Sequence, residues 1–184
     1  MTDANPLSYV QWRQTWLDSN EDSLRKAATI LSRSIAQNGT IYSVGCGGSY
    51  AQAAHFTGEL IGGMLTKNGR EIRGITLGAE VAALTATAND LGWEHAFARG
   101  LRGAEAKDAL VVLTTSGTSP VVLKALYAAQ IIGMRVVTIT GAAGVSAVLN
   151  EDDVQIKIAL TTTPQVQELT LVLLHELATL LERL

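Results

Sequence analysis

The chain has 184 residues, 47% hydrophobic and 17% charged, with 14 Lys+Arg against 17 Asp+Glu and a formal net charge of −3. Such a composition suits one well-buried domain rather than a disordered chain, and it offers no basic block to neutralise nucleic-acid phosphates. The only cysteine, Cys46, excludes an intrachain disulfide and a thiolate zinc cluster.

The amino terminus, MTDANPLSYVQWRQTW, lacks the basic start and apolar stretch of a signal peptide. No apolar run reaches the ~18 residues of a spanning helix, so a soluble cytoplasmic protein without a membrane partner is expected. Apolar residues recur at helical spacing over 8–17 (Val10, Trp12, Trp16, Leu17) and over 22–37 (Leu24, Ala27, Ile30, Leu31, Ile35), which predicts two leading helices. A turn at Asn38 then leads into a strand over 41–45 and a helix over 49–65. Further β-rich runs lie at 72–77, 109–114, 135–139 and 153–158, separated by helical segments at 79–88, 93–102 and 119–132. A final helix over 164–184 starts at Pro164, a residue suited to a first helical turn.

Short strands alternating with helices predict a three-layer α/β/α fold with a parallel sheet. The runs ALVVL and RVVTI are nearly all apolar, as strands covered on both faces are. With no repeat or linker, residues 1–184 read as one domain, in which 1–37 supplies helices for an oligomer and 38–184 the α/β core. Leucines on nearly every face of QVQELTLVLLHELATLLERL also point to an oligomer.

Ligands of open parallel sheets bind beyond the carboxyl ends of the strands. Two glycine- and hydroxyl-rich loops fall there. The first, GCGGS, fails as a dinucleotide fingerprint, because the third glycine would be Tyr50, and it lacks the lysine of a nucleotide-hydrolase phosphate loop. Its glycines, Gly45, Gly47 and Gly48, allow a tight turn into a helix, and the uncovered N–H groups there favour an anion. Ser49 adds a hydroxyl. The second loop, TTSGTSP, presents Thr114, Thr115, Ser116, Thr118 and Ser119 at another helix entry. Either loop alone is equally well a capped turn; two at neighbouring strand ends favour a small phosphate cradle built from N–H and O–H groups.

His55 and Glu59, four residues apart, share a helix face. Such a pair is commonly a surface hydrogen bond. Gln167 and His175 stand eight apart on the last helix, roughly 80° out of alignment. A histidine among leucines is commonly a satisfied core residue. These residues become a site only if the two helices meet. Trp12, Trp16 and Trp93 read as packing residues, and His95 carries no assigned role.

The stretches GCGGS-(x)5-HFTGEL, TATANDLGW, LTTSGTSPVVLKAL and QVQELTLVLLHEL, in order, resemble a sugar isomerase (SIS) domain, and more narrowly the sedoheptulose-7-phosphate isomerases, over essentially the whole chain. That resemblance implies a five-stranded flavodoxin-like sheet and a homotetramer with active sites near subunit boundaries. It implies that Ser49, Ser116 and Ser119 hold the sugar phosphate, with Gly47, Gly48, Thr114, Thr118 and Gln167 lining the substrate site. Glu59 and His175 match the acid/base pair. His55, Glu59, Gln167 and His175 match the ligands of one zinc ion per subunit, and Asp90 a further active-site position.

Three departures from the family pattern bear on substrate identity and binding strength: Cys46 replaces a loop asparagine, Gly63 an arginine, and Pro164 with Gln165 an aspartate and an arginine. The expected activity is isomerisation of sedoheptulose 7-phosphate to a glycero-manno-heptose 7-phosphate. The alternatives are isomerisation of another sugar phosphate, or a non-catalytic adaptor for the replication initiator. Such adaptors lack the glutamate and histidine that this chain keeps at Glu59 and His175.

Overall fold

In the computed structural model, which describes residues 6–62 and 72–183, five strands form one parallel sheet in the order β2-β1-β3-β4-β5. In chain order the elements are α1 (Pro6–Ala36), β1 (Thr40–Val44), α2 (Gly48–Gly62), β2 (Arg73–Thr76) and α3 (Val81–Leu91). Then follow β3 (Ala109–Thr114), α4 (Pro120–Ile132), β4 (Arg135–Thr140), β5 (Val154–Lys157) and α5 (Thr163–Arg183). The flavodoxin-like three-layer arrangement expected from the alternation is therefore present. Gly63, one of the departures from the family pattern, lies outside the described residues.

The central strand β3 is buried at all six positions and sorts its side chains by parity. Ala109, Val111 and Leu113 join Phe56 and Leu60 of α2, Ala27 and Leu31 of α1, and Leu169, Leu173 and Leu177 of α5 in one core layer. Leu110 and Val112 face the other way, with Val121, Ala125 and Leu126 of α4 and Phe97. Helices α1, α2 and α5 thus share one face of the sheet, and α4 covers the other. Between β1 and β3 the strand order reverses direction, which makes their carboxyl ends the rim where this architecture binds ligands.

Two element expectations are corrected. Residues 8–17 and 22–37 belong to the single helix α1, because the polar stretch between them contains no Gly or Pro and bonds back into the helix. There Ser19 Oγ and Asn20 Nδ2 both donate to the Trp16 carbonyl, at 2.7 and 3.0 Å. The segment 93–102 forms two short 3-10 turns, Trp93–His95 and Ala98–Leu101, instead of an α-helix. Gly92, at φ 98°, opens this stretch in a conformation that an α-helix cannot continue through. Trp16 packs on the core as expected, whereas Trp93 is half exposed and meets Phe97 edge to face.

Candidate active site

The first loop turns from β1 into α2 at Gly47, whose φ of 60° favours glycine. Gly48 begins α2, and a Cβ on it would fall 2.5 Å from the Gln167 amide nitrogen, so the bare backbone there leaves room for the Gln167 side chain to lie over it. Ser49, in the first turn, is nearly buried. The second loop is shaped by Thr114, whose Oγ1 accepts from the Gly117 N–H at 3.2 Å. Ser116 Oγ accepts from the Thr118 N–H and from its hydroxyl, both at 3.3 Å. Ser119 caps α4 only through its backbone, which leaves its hydroxyl uncommitted.

A third segment, not anticipated from the sequence, buttresses the second loop from behind. Ser146 donates to the Gly117 carbonyl from its N–H at 2.9 Å and its hydroxyl at 3.0 Å, and the Gly141 N–H donates to the Thr115 carbonyl. Gly117 (φ 71°) is pressed so closely on the Gly144 carbonyl that a Cβ would overlap it at 1.8 Å. The signal was present in GAAGVS, another small-residue run at a strand's carboxyl end.

Thr163, the first residue of α5, lies 3.5 Å from Thr115, hydroxyl to hydroxyl. The amino ends of α2, α4 and α5 therefore meet at one rim, with N–H groups and dipoles that favour an anion. Neither loop contributes a Lys or Arg.

Along α2 and α5, which leave this rim side by side, the polar residues pair in sequence order. The Gln167 side chain lies over Gly48, and the Gln52 amide donates to the Gln167 carbonyl. Further along, His55 Nε2 and His175 Nε2 are 2.8 Å apart with rings nearly perpendicular, and Glu59 Oε1 is 3.7 Å from His55 Nε2. One ligand atom from each of His55, Glu59 and His175 lies within 4.8 Å of the others. The helices do meet, and they bring the carboxylate and both imidazoles together. Gln167 stands at the head of α2 beside the first loop. Asp90 lies on the opposite face of the sheet, exposed on α3 and accepting from Asn89 Nδ2.

Two imidazoles and a carboxylate form a donor set suited to a divalent transition metal. Bonds of about 2.0–2.1 Å in tetrahedral geometry would hold two such nitrogens about 3.3 Å apart. The two rings would need to separate by only about half an ångström to accept an ion, so the residues fit one. His55 is 41% exposed and Glu59 24%, so one chain alone does not enclose the group.

A family model for the SIS domain matches residues 9–141. The phosphoheptose isomerase of Methylococcus capsulatus is 34% identical over 181 residues, 95% of this chain and 91% of that protein. That of Neisseria meningitidis serogroup A is 35% identical over 153 residues, covering 82% and 77%. Among solved structures, a phosphoheptose isomerase from Neisseria gonorrhoeae superposes with a TM-score of 0.84 at 29% identity, over 97% of this chain and 95% of that one. One from Francisella tularensis gives 0.86 at 26%, over the full length of both. The chain belongs to the SIS-domain family, in its phosphoheptose isomerase branch.

Proposed function

We propose that this chain is an aldose–ketose isomerase that converts sedoheptulose 7-phosphate to D-glycero-D-manno-heptose 7-phosphate. The observation that carries the reading is the meeting of Glu59 and His175, on two helices that both start at an anion-favouring rim. From Ser49 to His55 is six residues, about 9 Å of helix. That is about the reach of an extended seven-carbon chain from its terminal phosphate to its carbonyl.

In this reading the phosphate sits on the N–H groups of Gly47 and Gly48 and on the hydroxyls of Ser49, Ser116, Thr118 and Ser119. Thr114 shapes the loop from within. Gln167, beside Gly48, binds the sugar next to the phosphate. The Glu59 carboxylate removes a proton from C1 of the ketose, the C1–C2 bond becomes an enediol, and the proton returns at C2. His175 manages the proton of the substrate oxygen. Positioned proton transfer of this kind contributes typically about 10²–10⁴-fold in rate.

His55, Glu59 and His175, completed by Gln167 or by substrate, would hold one zinc ion per subunit. Bound there, zinc supplies Lewis-acid polarisation of the carbonyl. The active form is a homotetramer, supported by the openness of the site and by apolar side chains left uncovered around α3. Asp90, on that helix, would then serve a site completed across a subunit boundary.

Glu59→Gln, assayed with sedoheptulose 7-phosphate and zinc, is expected to lose at least a hundredfold in kcat with the fold intact. Near-normal turnover would remove Glu59 from the chemistry. A zinc-loaded wild type inactive on this ketose but active on a pentose or hexose phosphate would reassign the substrate.

A further inference from the structure

Beneath α2 lies a cluster of three buried hydroxyls: Ser43 on β1, Thr76 on β2 and Thr57 on α2 itself. Ser43 and Thr76 are direct partners across the β1–β2 ladder, so their side chains emerge together toward the helix. Ser43 Oγ lies 3.0 Å from the Ala53 carbonyl and 2.7 Å from Thr57 Oγ1, and Thr76 Oγ1 lies 2.9 Å from Thr57 Oγ1. Each hydroxyl has one proton to give. The carbonyl can only accept, so it takes Ser43's proton. Thr57 must then donate to Ser43, and Thr76 to Thr57. One directed chain results, Thr76 to Thr57 to Ser43 to the Ala53 carbonyl. The methyl of Thr57 is fixed as well, standing 3.2 Å from where a Cβ on Gly74 would be.

Thr57 is two residues from both His55 and Glu59, hence about 200° round the helix from each, whereas those two are about 40° apart. The reactive pair thus projects from one side of α2 while Thr57 grips the sheet on the other. Among the other buried side chains of α2, Ala53, Phe56 and Leu60 are apolar and Ser49 stands in the first turn. The Gln52 amide ties the helix to α5 and not to the sheet, so Thr57 makes the side-chain hydrogen bond that holds the middle of α2 on the strands. Side-chain tips stand about 5–6 Å from the axis, so a roll of about 20° would carry them about 2 Å. Metal–ligand bonds tolerate only about 0.2 Å.

We propose that Thr57 is a positioning residue: through Ser43 and Thr76 it fixes the roll of α2, and so sets His55 and Glu59 against His175 for metal binding and proton transfer. This rests on the reading of that trio given above. Thr57 touches no substrate; it acts through the two side chains it aims.

The test compares wild type, Thr57→Val and Thr57→Ser, titrating metal-free protein with zinc and, separately, with cobalt(II), whose visible spectrum reports ligand geometry. Thr57→Val is expected to weaken zinc about tenfold or more, alter the cobalt spectrum, and lower kcat about tenfold, in the range seen when groups supporting metal ligands are lost. KM should move less than twofold, because the phosphate loops are untouched. Thr57→Ser keeps the proton chain and should restore zinc affinity and kcat to within twofold. If Thr57→Val does not fold, Thr76→Val, which removes only the chain's first donor, should show the same changes in smaller measure. A lowered melting temperature with unchanged zinc affinity, spectrum and kcat would overturn the proposal and leave the trio's role standing. Wild type that takes up neither metal would overturn both.

Discussion

At Gly48 a single hydrogen atom leaves room for the Gln167 side chain to lie over the first loop. Gly48→Ala would press its methyl into the Gln167 amide, which approaches to between 2.5 and 2.9 Å. That amide ends a flexible side chain, so it can swing aside at little cost in stability, giving up its place over the loop. We expect Gly48→Ala to leave the melting temperature nearly unchanged and to raise KM severalfold, because Gln167 is displaced. Gln167→Ala should raise KM to a similar degree, and the double variant no further. Thermal melts and initial-rate kinetics on the four proteins check both. Metal dependence is decided at the same scale: dialysis against a strong chelator should abolish turnover, and one equivalent of zinc per chain should restore it. The residue identities were readable in GCGGS, HFTGE and QVQELTLVLLHEL. The contact between Gln167 and Gly48 was not, because it depends on how far apart two helices pack.

At the level of elements, the strands were legible because a strand covered on both faces is nearly all apolar, as ALVVLT is. The relation between α2 and α5 was harder to read. Gln167 and His175, roughly 80° out of register on one helix, pointed to no common partner. The helices leave the rim together, so Gln167 meets the head of α2 and His175 meets its middle. The apolar periodicity of the leading helix lapses between Leu17 and Asp22, yet the helix runs on, because Ser19 and Asn20 bond back to the Trp16 carbonyl. On β1, burial and then the nearby Asp108 carboxylate raise the Tyr42 phenol above its ordinary value of about 10. Below that pH both folded and unfolded phenols are protonated. Above it the unfolded phenol ionises first, so stability should fall as pH climbs past about 10. Urea melts between about pH 9 and 11 should show that slope, and Tyr42→Phe should flatten it.

The whole chain leaves an uncovered apolar region around α3: Val81 is 63% exposed, Leu91 51%, Trp93 50% and Ile75 45%. Surfaces of this kind mark association sites. Leu91→Glu is expected to yield smaller species by light scattering and to lose activity in step with the dissociation, since Asp90 is carried on the same helix. The leucines of the last helix hinted at association, but which face is bare could be seen only once each helix had found its place on the sheet. The three helix ends that converge on the rim have one last consequence. Peptide dipoles do not titrate, so an anion site built on them keeps its attraction across the whole working range of an assay. At the phosphate end of the site, any change of affinity with acidity should then belong to the ligand, whose phosphate loses its second proton near pH 6. The affinity of a short alkyl phosphate, which ends before His55 and His175, should be level above about pH 7 and fall below about pH 6, following that phosphate's own ionisation curve.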